Sequence, residues 1–589
     1  MKFSTLILSA SVAISSVFAI PHHRHQELHN EKRQSGYTAV TGPSGPVYPR
    51  LEIRQMYWNR PNQYTLLLLA LQKFQSMSES DKLSYYQIAG IHGVPRVDWD
   101  GVGECSGCSS DGYCPHDSVL FPAWHRVYVA LFEQQFLSIV NDIANSWTGD
   151  GADVIRSAAS QMRWPYWDWA AAPKPGYNNF PALMSMKYVS VTSDSGTQTI
   201  INPLFRYSFQ DNSGLVYYPF VSNWKYTYRY PNTNDASAVS QTSSLVSAFN
   251  NIRSSLQDQV WQLFSTCTDY LHFSNDDAGS SSTSCSNSLE GIHNTVHTTT
   301  GGVPSSSVSA GHMTYLSTAA FDPVFWLHHA NVDRIFALWQ TINPGSYGGS
   351  QTAPHSTWTI PSGSQQDENS PLTPMHKDTS GNFYTTNDVR DWTVFKYTYP
   401  EFSNSDGSAS AIKGYVSALY GPGATATAGS SKREVDEEEA PAQAKRTPEP
   451  VNLENVVASV AGFASPSSSS ISGSLPLPTV NPLSNLTAAI QNVSTAVSDL
   501  VNPIQANNGS LFQYVANIQT PRYALNGSYQ IYLFNGKPNT EDPASWIQDS
   551  NLIGPVGVLA QPGMTEHNVT VAASVPLTRS LTFALDNSF

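Results

Sequence analysis

Six of the sixteen histidines in this chain fall into two groups of three, and this arrangement constrains the fold more than any other feature. His293 and His297 are four residues apart, on one face of a helix that reads over Ser288–Thr298. The pair His328-His329 lies in a second helical stretch, opened by Asp322 and Pro323 and running to Gln340. Neighbouring helical residues point about 100° apart, so only one of that pair can face the same point as His293 and His297. Phe325, four before His329 and on its face, could gate such a site, and His329 is taken as the ligand with His328 beside it. The other group is His92, His116 and His125, the last just inside a helix over Phe121–Val140. That helix begins with Pro122 and repeats Val127, Leu131, Phe132, Phe136 and Ile139 at three-to-four spacing. Imidazole-only coordination suits copper, zinc, iron and nickel. Two three-histidine sites on packed helices describe a pair of metals with open positions facing each other. No carboxylate is evident near these motifs, which argues against di-iron and di-manganese centres. The plain alternative is a set of unrelated core histidines.

The rest of the chain reads as a mainly α body followed by a small β unit. The 589 residues carry 45 acidic and 31 basic side chains, a net charge of −14, which excludes a nucleic-acid partner that would need a basic face. Aromatic residues make up 11%, ample apolar area for a folded core. Residues 1–19 read as a signal peptide, with Lys2, the apolar stretch Phe3–Phe18, and the small residues Val17 and Ala19 before a cut. No later apolar run is long enough to span a membrane, so a secreted protein without a membrane anchor is expected. Residues 20–33 read as a propeptide ending in Lys32-Arg33, and residues 34–429 as the body. Residues 430–484 read as a linker holding Lys432-Arg433, the acidic run from Glu434 to Glu439, Lys445-Arg446 and the Ser/Pro-rich stretch Ser465–Pro478. A protease acting at dibasic sites is thus an expected partner. In residues 485–589 the stretches Gln513–Thr520 and Ser528–Phe534 alternate on either side of the hairpin signal Asn526-Gly527, and Val569–Val575 and Ser580–Leu585 are further strand candidates. Glycosylation triplets at Asn485, Asn492, Asn508, Asn526 and Asn568 all follow the linker.

Four segments resemble the tyrosinase and catechol oxidase family of type-3 copper proteins. They are Phe121-Pro-Ala-Trp-His125-Arg, Trp164-Pro-Tyr-Trp-Asp-Trp169, Glu290-Gly-Ile-His293-Asn-Thr-Val-His297, and Asp322-Pro-Val-Phe-Trp-Leu-His-His329-Ala-Asn-Val-Asp333-Arg. The resemblance covers roughly Gly42–Gly421, with Tyr420-Gly421 as the family's mark for the end of the body, and the β tail resembles the C-terminal shielding domain of long fungal tyrosinases. It implies a helical-bundle di-copper domain with long loops. His92, His116 and His125 would hold one copper and His293, His297 and His329 the other. The implied substrates are phenols and O2: monophenols are hydroxylated ortho to their oxygen and o-diphenols oxidised, both to o-quinones, by an enzyme made as a latent proenzyme. Catechol oxidase or o-aminophenol oxidase activity, a hemocyanin-like O2 carrier and a dinuclear zinc hydrolase are the competing readings.

The same resemblance assigns finer roles. Glu290 and Asn294 match the family's glutamate and asparagine that hold a proton-accepting water, which favours monophenol chemistry. Cys114, two before His116, matches a cysteine that forms a thioether to that imidazole in many relatives. Cys105–Cys108 and Cys267–Cys285 are then the preferred disulfides, although connectivity is not readable from sequence. Asp333 is expected to pair with Arg50 or Arg54, with an arginine stacked on Tyr397 or Tyr399. Phe534 is the candidate tail residue to occupy the substrate position in the latent form. His272, His312, His355, His376 and His567 are expected to have no special role.

Overall fold

In the computed structural model the described residues are 36–108, 112–149, 151–212, 215, 223–277, 285, 287–305, 307–424, 426–429, 513–560 and 569–581. The leader, the propeptide with Lys32-Arg33, both C-terminal dibasic pairs, the linker, His567 and the glycosylation asparagines Asn485, Asn492, Asn508 and Asn568 lie outside them. The body is built on helices whose starts are written in their caps. Helix α1 spans Pro61–Gln75 and α2 Phe121–Ser146, each with proline in its first turn. Helix α3 is Thr242–Thr266. Helix α4 is Leu289–Gly301, capped by Ser288, whose Oγ accepts the Gly291 N–H at 3.0 Å. Helix α5 is Val324–Ile342, where Asp322 Oδ1 accepts the Val324 N–H at 3.0 Å. A final helix, α6, is Ala409–Tyr420.

Helix α2 packs between α1 and α5, and α4 lies against α3 and α5. The seam of α2 and α5 is aromatic. Phe132 stacks on Trp326 at 3.8 Å and meets Trp164 edge-on at 4.8 Å, so large rings hold the two histidine-bearing helices at a fixed separation. All thirteen residues of α4 are buried, which the tail explains below.

The ends of the body are tied by a parallel pair of two-residue strands, β1 (Tyr48–Pro49) and β2 (Tyr397–Thr398). Next to it lies a buried charge network. Arg50 bonds Glu133, Asp333 and the Tyr399 hydroxyl and stacks over Tyr397, 3.5 Å from the ring centre. Arg126 reaches Asp333 at 2.6 Å. Arg54 pairs instead with Glu52, two residues away. Burial would raise the Asp333 carboxyl, but Arg126, Arg50 and the Tyr397 and Tyr399 hydroxyls hold it below the usual range. Disulfides join Cys105 to Cys108 and Cys267 to Cys285, leaving Cys114 free and buried.

The tail contributes β3 (Val515–Pro521), β4 (Tyr529–Phe534), β5 (Leu552–Val558) and β6 (Thr570–Pro576). The hairpin expected around Asn526-Gly527 does not form: β3 pairs antiparallel with β6, and β4 with β5. A two-residue turn would bring β3 and β4 together, but seven residues separate them and the first, Arg522, is buried and turns back into the body. Ser580 and Leu581 are helical rather than extended, and the rest of that strand candidate lies outside the described residues. The two pairs close over a small core of Ala516, Leu533, Val556, Ala573, Val575 and Leu577. Among the described residues, those from Tyr37 onward form one compact unit, tail included. No described helix is long and apolar enough to cross a membrane.

Candidate metal centre

Each histidine triad closes into a triangle of rings. In the first, the centroids of His92, His116 and His125 are 5.4, 5.7 and 5.7 Å apart. His92 follows the short helix Tyr85–Gly90, and its Nδ1 lies 2.8 Å from the Leu316 carbonyl. His125 stands one turn into α2 with Nδ1 2.8 Å from the Phe121 carbonyl. A carbonyl only accepts, so both rings carry the proton on Nδ1 and leave the Nε2 lone pair free. His92 Nε2 is buried without a partner, and His125 Nε2 meets only Cys114 Sγ at 3.2 Å. Cys114 Sγ is also 3.8 Å from His116 Nε2.

In the second triad the His293–His297, His293–His329 and His297–His329 centroids are 4.4, 4.8 and 5.4 Å apart. His297 Nδ1 donates to the Met313 carbonyl at 2.8 Å, and its Nε2 stands 3.2 Å from His329 Nε2. His293 Nε2 and His329 Nδ1 are buried without partners. His329 also faces the first triad, stacked on His125 at 4.4 Å and 6.3 Å from His92. His328 stacks on His293 at 5.1 Å and lies 4.9 Å from His297, so it remains within reach of the second group.

The donor set fits metal ions. Burial lowers all six imidazoles, His92 to about 4 and His297 to about 3, and neighbouring rings push His116, His125, His293 and His329 down further. Neutral imidazoles with unpartnered nitrogens turned toward one another would be costly in a dry core. A soft or borderline cation at each triangle satisfies them together.

Phe325 sits among the rings, 4.0 Å from His329, 5.0 Å from His92 and 5.8 Å from His297. It is fully buried, and its other ring neighbours are the core residues Tyr128 and Trp326. It therefore spaces the imidazoles like a wall.

Of the carboxyl groups beside the imidazoles, only Glu290 is singled out by the sequence, and Asp117 and Asp276 are not. Asp117, Asp276 and Glu290 are buried with oxygens within 4.8 Å of one another. Glu290 accepts the Asp117 N–H on both oxygens at 3.0 Å. Asn294 Nδ2 donates to Asp276 Oδ2 and His293 Nδ1 donates to Asn294 Oδ1, each at 2.9 Å. Burial, then Asp277, pushes Asp276 up to about 7, while burial, then Asp276 and Asp277, raises Glu290 well above the usual carboxyl range. Asp117 and Glu290 adjoin ligand motifs and were visible there; Asp276, in a loop seventeen residues before His293, carries no local signal.

The tail lies directly over this side of the centre. Gly557 of β5 donates to Thr295 Oγ1 of α4 at 3.0 Å, and a Cβ there would stand 2.5 Å from both the Asn294 carbonyl oxygen and Thr298 Oγ1. Gln530 of β4 reaches Thr298 and Thr299 at 2.8 and 3.1 Å, and Ala572 of β6 donates to the Asp276 carbonyl at 3.0 Å. Arg522 enters beside His116: it pairs with Asp117, stands 2.9 Å from His355 Nε2 and donates to the Leu559 carbonyl at 2.7 Å. His355 is thus part of a buried ion cluster, against expectation, since its Nε2 is also 2.9 Å from Asp117 Oδ2. His272 bonds Asp269, His312 accepts the Tyr228 N–H, and His376 packs against Tyr37 and Phe383. Phe534 is not at the imidazoles. It ends β4 past a register shift, with its ring 5.7 Å from Trp546 and 6.4 Å from Tyr532 inside the tail.

Known proteins match along nearly the whole length. A family model described as the common central domain of tyrosinase matches residues 82–342, and one described as the tyrosinase C-terminal domain matches residues 513–588. A tyrosinase of Podospora anserina is 32% identical over 577 residues, 93% of this chain and 95% of its own. A tyrosinase of Neurospora crassa is 32% identical over 604 residues, 93% of this chain and 86% of its own. Among solved structures, a mushroom tyrosinase crystallised in latent and active forms is 31% identical with a TM-score of 0.59, covering 65% of this chain and 99% of its own. An Aspergillus oryzae pro-tyrosinase shares the fold at a TM-score of 0.64 and 24% identity, covering 93% of this chain and 90% of its own.

Proposed function

This chain belongs to the tyrosinase family, and from that premise we propose how its own residues carry out the family's chemistry. The chain is a copper-dependent oxidoreductase that uses O2 to oxidise phenols and is made in latent form. His92, His116 and His125 hold one copper ion, and His293, His297 and His329 the other. The observation that carries this assignment is the pair of imidazole triangles, joined by the 4.4 Å stack of His125 on His329. His329 is preferred to His328 because its ring touches both triads. Bound there, the paired ions supply the O2 binding and electron transfer that no side chain can.

The protein's own task is to position the phenol and take its proton, which is held with a pKa near ~10. Glu290 and Asn294 hold a water for that purpose. Burial beside Asp276 makes the Glu290 carboxylate a stronger base than an exposed one. The hydrogen bonds of Asn294 to His293 and Asp276 fix its amide before substrate arrives. This equips the centre for ortho-hydroxylation of monophenols as well as oxidation of o-diphenols. A thioether between Cys114 and His116 would lock that ring; support comes from the free, buried thiol beside it.

Latency rests on the tail. Residues 485–589 act as the shield of a catalytic body at 34–429, with Arg522 bonded to His355 and Gly557 to Thr295 of α4. Secretion through the leader 1–19, removal of 20–33 and cleavage near Arg433 in the linker 430–484 complete the maturation path. Quinone formation from tyrosine and from catechol, before and after limited proteolysis, tests the reading. Both substrates should turn over, faster after cleavage. Catechol turnover alone would reduce the activity to that of a catechol oxidase, and no quinone from either would leave only a carrier of O2.

A further inference from the structure

We infer that Asp276 is a positioning residue for the metal-binding imidazole of His293, acting through the side-chain amide of Asn294. Four of the six imidazoles have an acceptor at Nδ1 that decides which nitrogen keeps the proton. For His92, His125 and His297 it is a backbone carbonyl, of Leu316, Phe121 and Met313, at 2.8 Å in each case. A backbone carbonyl cannot turn over to present a donor. For His293 the near acceptor is instead Asn294 Oδ1 at 2.9 Å, with the Glu290 carbonyl farther off at 3.3 Å. A carboxamide can rotate by half a turn, exchanging oxygen for NH2 at the same place. Turned that way, it would donate to His293 Nδ1 and move the ring proton to Nε2, the buried nitrogen that needs its lone pair for the metal.

Asp276 blocks that rotation. Its Oδ2 lies 2.9 Å from Asn294 Nδ2, and an aspartate oxygen accepts there whether or not the other oxygen carries a proton. The NH2 group must therefore face Asp276, and the amide oxygen must face His293. The residue is fully buried, so no solvent competes for the amide. Its place is fixed from the other side by β6, whose Ala572 N–H donates to the Asp276 carbonyl at 3.0 Å. Outer partners of this kind are worth about 10–100-fold in metal affinity.

The inference rests on the copper reading, and the test separates the two. Copper retention by the full chain is measured by chelator competition for the parent, Asp276→Ala, Asp276→Asn and Asn294→Ala, each checked for thermal unfolding, with Asp276 and Asn294 also changed together. Asp276→Ala should hold copper about 10–100-fold more weakly. Asp276→Asn, whose amide can present either end, should fall between Ala and the parent. In the Asn294→Ala background, changing Asp276 should add nothing further. Parent-like retention in Asp276→Asn, or full additivity of the two changes, would overturn the inference while leaving the copper reading intact. A parent that takes up no copper would overturn the copper reading itself. Should Asp276→Ala fail to fold, the Asp276→Asn comparison and its double variant still decide.

Discussion

At Asn294 two hydrogen bonds, to His293 and to Asp276, leave the amide one orientation, and the proton transfer proposed for a monophenol would use it. An o-diphenol is easier to oxidise and needs no new C–O bond. Asn294→Ala, with turnover expressed per bound copper, should therefore lower the monophenol rate by about 10–100-fold and the diphenol rate less. Equal losses would remove Glu290 and Asn294 from that role. The imidazoles also set a pH dependence. His92 is lowered to about 4 and His297 to about 3, so between those values and the ordinary imidazole range near ~6.5 the unfolded chain binds more protons than the folded one. Asp276, raised to about 7, and Glu290 act in the opposite sense, and the larger set of lowered imidazoles outweighs them, so stability of the copper-free chain should fall as pH is lowered from 7 toward 4. A melting temperature that is flat or rising over that window would contradict the neutral, lone-pair state that the centre requires. Asp333 makes a separate claim on stability, since it faces Arg50 and Arg126 in a dry site. Asp333→Asn should cost about 3–5 kcal/mol in denaturant titrations by leaving arginine charge uncompensated.

Among the elements, α4 carries His293 and His297 on one face while β5 lies across another, and Gly557 permits that approach. A side chain there would meet the Asn294 carbonyl and Thr298 at 2.5 Å. Gly557→Val should lift the tail and raise the activity of uncleaved protein toward that of cleaved protein, leaving the cleaved form unchanged. Unchanged latency would mean that this strand does not shield the centre. The helices that bear the histidines were legible in sequence because their signals are local: proline in the first turn, Ser288 as a cap, apolar residues at three-to-four spacing. The structure starts α5 two residues after Asp322, a shift of the size that frayed ends produce, and carries α2 six residues past Val140 to Ser146. Strand pairing in the tail was not legible. Alternation marks β3 and β4, but their partners β6 and β5 are set by closure over a shared core and by Arg522 turning inward. Asp276, His355 and Arg522 escaped for the same reason, because a lone polar residue in a loop has no periodicity. Arg522 and His355 meet across 167 residues of chain.

Over the whole molecule, the docked tail and the body share one compact unit, and the tail delivers a buried cation next to His116. A chain ending near Arg433 should outperform the full chain, and Arg522→Gln should partly release the uncleaved form by removing the ion pair with Asp117. Equal activity of cut and uncut protein would end the shielding account. Everything else depends on the paired triangles of His92, His116 and His125 and of His293, His297 and His329. The most direct test is the copper content of purified chain after exposure to copper and removal of loosely bound ions, in the parent and in His329→Ala. Two ions per parent chain, with clear loss in the variant, is the expected result. A parent that holds no copper, or a variant that binds the full complement with unchanged affinity, would contradict it.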